Sequence, residues 1–184
     1  MSDEQTREAT RTRLEKAAVE LQGRRAIADG LSTTDLTLAE RVEALGFSEA
    51  TAKVFDLLPV IHVAWADGEV QKREREAIMS VLEVRGAVEG TQAHAMVESL
   101  LERAPGQAYM DESLALLREL VANNSRRTEA LIDLCFAIAE AHGAGFLGLR
   151  DPIDERERRA LYDVAEKLGP RAQQWVKAKF GELT

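Results

Sequence analysis

The stretch Ala66-Asp67-Gly68-Glu69-Val70-Gln71-Lys72-Arg73-Glu74-Arg75-Glu76-Ala77-Ile78 reads as a tight turn opening a charged helix, which runs on to Gly86. The chain says nearly the same thing 83 positions later (157 minus 74), in Asp151-Pro152-Ile153-Asp154-Glu155-Arg156-Glu157-Arg158-Arg159-Ala160-Leu161, running on to Gly169. In each copy an aliphatic residue (Val70, Ile153) is followed four positions on by a glutamate (Glu74, Glu157), then by Arg-x-Ala-aliphatic. An internal duplication fixes architecture before any single residue does. It predicts a helical protein of two pseudo-repeated halves, each with an acidic turn.

Working outward, the composition agrees. Of 184 residues, 45% are hydrophobic and 30% charged, while aromatics are scarce at 5%, a mixture that favours helix over strand. Residues 3–28 form a long polar helix with a thin apolar stripe of Leu14, Ala17, Ala18, Leu21 and Ile27. Further helices are predicted over Leu38–Leu45, from about Glu49 to Trp65 with Ser48 as cap and a kink or break at Pro59, and over Gln71–Arg85, Val88–Arg103, Met110–Ala122, Arg126–Ala141, 154–168 and 170–180. Short links between helices of this length describe an all-α bundle of about seven to nine helices. We expect residues 1–35 to be an N-terminal helical extension and residues 36–184 to be the main domain.

The net charge of −8 is concentrated in the middle. Residues 31–86 carry 6 basic against 10 acidic side chains and residues 87–137 carry 4 against 8, so each span is −4, whereas both ends balance. Such a middle repels phosphate, argues against nucleic acid and permits a hard cation or a basic partner. No apolar run approaches a membrane span, the first eight residues hold no apolar core for a signal peptide, and the single Cys135 cannot form an internal disulfide. A reducing cytoplasm is the expected location.

Asp67-Gly68-Glu69-Val70 through Glu74 matches the second half of an EF-hand loop, with Gly68 for the sharp turn and Glu74 pointing back from the helix. One half-site cannot supply the six to eight oxygens calcium takes. Were the two turns to meet, Asp67 and Glu74 would face Asp151 or Asp154 and Glu157, and Ca²⁺ or Mg²⁺ would relieve the repulsion. The alternative is that these acids cap their helices and pair with Arg73, Arg75 or Arg158.

Other patterns carry less. Gly143-Ala144-Gly145-Phe146-Leu147-Gly148 has dinucleotide-loop spacing, but helical periodicity precedes it and Pro152 follows it, so the strand–loop–helix context is missing. His62 and His142 precede the two acidic stretches and rank as secondary candidates; no Glu-x-x-His, His-x-x-x-His or Cys-x-x-Cys occurs. Leu38–Leu45 with Glu49–Phe55 has helix-turn-helix spacing, but the second helix is too acidic for phosphate. No nucleophile elbow organises the serines, and no catalytic residue is assigned.

The segment Leu57-Leu58-Pro59-Val60-Ile61-His62-Val63-Ala64-Trp65-Ala66-Asp67-Gly68-Glu69-Val70, ending at Glu74, resembles the first signature of TerB-like domains. Phe146-Leu147-Gly148-Leu149, leading into Ile153 and Glu157, resembles the second, with a glycine-rich loop replacing its Asp-Gly pair. The resemblance covers about residues 36–180. It implies an all-helical fold of two similar halves, an association with stress response and tellurite resistance, and an acidic divalent-metal site. Asp67 and Glu74 would be the leading ligands and Asp151, Asp154 and Glu157 the weaker ones. The expectation is a non-enzymatic module binding a divalent cation or a protein partner at its acidic turns; the alternative is a metal-free scaffolding bundle.

Overall fold

Seven consecutive residues at the centre of the molecule are chosen almost entirely for burial. They form α3, Leu58–Ala64, in which every side chain but His62 is buried. The computed structural model describes residues 3–143 and 153–182. Around α3 it places α1 (Asp3–Gly30), α2 (Leu36–Ala44), a 3₁₀ segment (Ala52–Leu57), α4 (Lys72–Val84), α5 (Gln92–Glu102), α6 (Gln107–Val121), α7 (Ser125–Gly143), α8 (Glu155–Leu168) and α9 (Pro170–Glu182). The described residues are thus all-α, as their composition predicts, and contain no strand.

Helix α3 packs against α6, α7 and α8, while α4 leans on α7, and α9 on α7 and α8. Val60, Ile61 and Val63 of α3 share one continuous core with Leu114 and Leu117 of α6, Ile132 and Cys135 of α7, and Leu161 and Val164 of α8. Each such aliphatic side chain contributes about 1.5–3 kcal/mol on leaving water. Surrounding helices therefore hold α3 in place, although a free helix of this length would not form.

The break expected at Pro59 is present: the 3₁₀ segment ends at Leu57 and Pro59 falls in the first turn of α3, where its missing N–H is no loss. Ser48 does not cap a helix beginning at Glu49. Instead the Ser48 N–H donates to Thr51 Oγ1 at 2.8 Å, and the Ser48 carbonyl accepts from the Thr51 and Ala52 N–H groups. This local turn competes with helix, so regular structure begins only at Ala52. Likewise α5 starts at Gln92 rather than Val88, because Thr91 caps it through the His94 N–H. Helix α6 starts at Gln107, three residues before the expected Met110.

Only the end of α1 joins the body. Ile27, Ala28 and Leu31 are buried, and Gly30 lies so close to the 3₁₀ segment that a Cβ there would meet Ala52 Cβ at 2.9 Å. Residues 4–22 are exposed throughout. Leu14 and Leu21 of the expected stripe face water, so the stripe enters the core only at its C-terminal end. Arg127 fixes that end by donating to the Leu31 carbonyl at 2.9 Å.

Candidate functional site

Helix α3 runs out at Trp65, whose indole N–H donates to the Leu100 carbonyl at 3.0 Å. That contact ties the motif tryptophan to α5 and aims the following turn. Gly68 adopts φ +88°, with open space where a Cβ would sit. The glycine is required by the backbone conformation, which L side chains rarely adopt, and not by crowding.

The chain then enters α4 from Gln71. Glu74, in the first turn, folds back so that its Oε2 accepts the Gln71 N–H at 2.7 Å. In the second copy Glu157 Oε2 accepts the Asp154 N–H at the same 2.7 Å, and Asp154 Oδ1 caps α8 by accepting from the Arg156 and Glu157 N–H groups. These are capping-box bonds, which normally lie at the solvent edge of a helix. Here both glutamates are 2% exposed, and no other Asp or Glu among the described residues is buried. The repeat read in the sequence is therefore a repeat of structure, centred on two carboxylates that water does not reach.

The two turns also meet. Arg156, in the first turn of α8, brings Nη1 to 3.6 Å from Asp67 Oδ1. Asp67 Oδ1 is shut off from solvent and accepts no hydrogen bond. The contact joins the first acidic turn to the start of α8, the turn that also carries Asp154 and Glu157. Asp151 and residues 144–148 of the glycine-rich loop lie outside the described residues. The helical periodicity that argued against a dinucleotide loop is real, because α7 extends to Gly143. Among the described residues no three His, Cys, Asp or Glu side chains gather as a ready-made metal cage.

A second set of polar side chains connects the helices. His62 Nε2 lies 3.0 Å from Asp163 Oδ2, and Lys167 Nζ lies 2.9 Å from the same oxygen and 2.6 Å from Asp111 Oδ1. It links α3, α8 and α6. Burial lowers the His62 pKa below its usual value, against the pull of Asp163. Burial also opposes the charge on Lys167, but Asp111 and Asp163 outweigh it and hold that pKa high. The Lys167 hydrogen bond lowers the Asp111 pKa. The sequence pointed to His62 but not to its partners; the only local hint was Asp163 and Lys167 at i and i+4.

The cysteine is not a ready nucleophile. Cys135 is fully buried and burial pushes its thiol up to about 12, leaving no thiolate at neutral pH. No helix among the described residues is long and apolar enough to cross a membrane.

Comparison with known proteins adds a family. No curated protein and no solved structure gives a significant match to the chain. The model of the family described as tellurite resistance protein TerB matches residues 57–180, a span that opens with the 3₁₀ segment's last residue and closes within α9. With two thirds of its length matched, and with both copies of the buried-glutamate turn inside the match, the chain belongs to the TerB family.

Proposed function

We propose that this protein is a non-enzymatic, cytoplasmic TerB module of the stress-response and tellurite-resistance kind, whose paired acidic turns hold a divalent cation. The observation that supports this is Asp67 Oδ1, a carboxylate oxygen closed to solvent and without a hydrogen bond, at the point where the two repeats meet. A buried anionic oxygen with nothing donated to it is costly, and a hard cation would relieve that cost. Glu74 and Glu157 each have one oxygen engaged by a helix N-terminus. Asp154 uses Oδ1 as a cap, which makes it a weaker candidate. Mg²⁺, which keeps several waters and takes one or two carboxylates, suits so small a donor set better than Ca²⁺.

Titration of Mg²⁺, Ca²⁺ and Mn²⁺ into the wild type and Asp67→Ala, followed by heat and by melting temperature, tests this. A bound ion at a hundred times its Kd stabilises the fold by about 2.7 kcal/mol. Asp67→Ala should abolish that response, and no response to any ion in the wild type would end the metal reading. The metal-free alternative, a scaffold that docks a protein partner, draws on a different observation: the Asp67–Arg156 ion pair and the capping bonds already engage the acids of both turns.

A further inference from the structure

We infer that the exposed length of α1 pairs, antiparallel, with α1 of a second copy of this chain, along the seam Leu14, Ala17, Ala18 and Leu21. The inference is independent of the metal reading above. The four residues fall at i, i+3, i+4 and i+7, the positions that one helix presents to another. In the single chain they face water: Leu14 is 66% exposed and Leu21 40% exposed. Most helical stability in proteins comes from packing such a face. This segment also carries Thr6, Thr10 and Thr12, which are weak helix formers. A covered seam supplies what the helix does not get from its own chain.

Charge selects the occupant. Helix α1 carries 6 acidic and 6 basic side chains, so the whole net charge of −8 lies in the rest of the chain. Two copies repel through their bodies and meet without net repulsion along α1. An antiparallel pairing suits this, because it sets the two bodies at opposite ends of the rods. It also suits Arg13, which borders the seam beside Leu14. The residues three and four positions either side of it are Ala9, Thr10, Lys16 and Ala17, so no acid of its own helix is placed to pair with it. Arg11 and Lys16 do have such acids, in Glu15 at 3.5 Å and Glu20 at 3.9 Å. With Leu14 of one copy packed on Ala17 of the other, in the alternation of an antiparallel coiled coil, Arg13 of each copy flanks Glu20 of the other. The pair forms twice, as an isologous interface requires. The seam ends near Gln22, since Arg24 is engaged by Glu40 of α2 at 2.8 Å. So short a contact lies below the standard interface size, and the association is weak and reversible.

Sedimentation velocity and light scattering of the full-length protein, from about 10 μM to about 1 mM, test this. The proteins compared are the wild type, Leu14→Glu with Leu21→Glu, Arg13→Glu, Glu20→Arg, and Arg13→Glu with Glu20→Arg. The wild type should dimerise as concentration rises, and the leucine variant should stay monomeric throughout. Each single charge reversal should raise the dimer Kd by at least about twofold, and the double exchange should restore it. The substituted residues stand off the body, so the melting temperature at low concentration should not move, which separates lost pairing from lost fold. A wild type that remains monomeric at every concentration overturns the inference. So does a dimer that survives the leucine substitutions, a Kd indifferent to the single reversals, or a double exchange that fails to restore it.

Discussion

His62 Nε2 and Asp163 Oδ2 stand 3.0 Å apart and join the central helix α3 to α8 across 101 positions of sequence. The imidazole is partly buried and its pKa lies below the ordinary 6.5, with burial as the leading cause. The folded protein therefore resists a proton that the unfolded chain accepts. The stability this gives is present above pH 6.5 and is lost as pH falls through the lower folded value. Denaturant unfolding between pH 8 and 5 should show that loss, with a contribution from His62 of at most about 1.4 kcal/mol per pH unit. Substituting His62→Asn should flatten the profile over that range; an unchanged slope would rule out His62 as its source.

The two buried capping glutamates should be worth similar amounts. Glu74→Ala and Glu157→Ala each remove the acceptor for one N–H at a helix start and leave a void where a buried side chain was. A cost of about 1–2 kcal/mol each, or roughly 2–8 °C in melting temperature, is expected by thermal and urea unfolding. The double variant tells whether the two copies are energetically coupled. A cost for one and none for the other would show that the repeat has become structurally one-sided.

Cys135 should be silent in the native state. With its thiol buried and held near 12, a disulfide reagent should leave it unmodified in the folded protein and modify it fully in denaturant. Fast native labelling would show that α7 opens locally.

Removal of residues 1–22 should change stability by less than about 0.5 kcal/mol, because the exposed part of α1 buries little. Extending the deletion through Leu31 should cost several times more, since Ile27, Ala28 and Leu31 then leave the core.

Periodicity and capping were legible in the sequence because both are local. The glutamate at four positions after Val70 or Ile153 marks both helix starts, and Pro59 marks the break before α3. Where prediction failed, a side chain offered the backbone a competing bond: Thr51 closes a turn with Ser48, and Thr91 caps α5 through the His94 N–H just after Gly90, whose φ is +86°. The stripe on α1 shows that a helix can be read from its pattern while its burial cannot, because burial depends on what arrives beside it. Of the candidate site, the acids were legible; their pairing with Arg156, 89 positions from Asp67, and the His62–Asp163 contact were not. No spacing rule encodes which distant turns the packing of α3 against α8 will bring together.

The free length of α1 has one more consequence. Nineteen exposed residues, 4–22, at about 1.5 Å each make a rod of about 28 Å standing off a body that holds it only at the far end. Such a rod behaves as a lever. A force applied at its tip would be delivered to Gly30 and the 3₁₀ segment it touches.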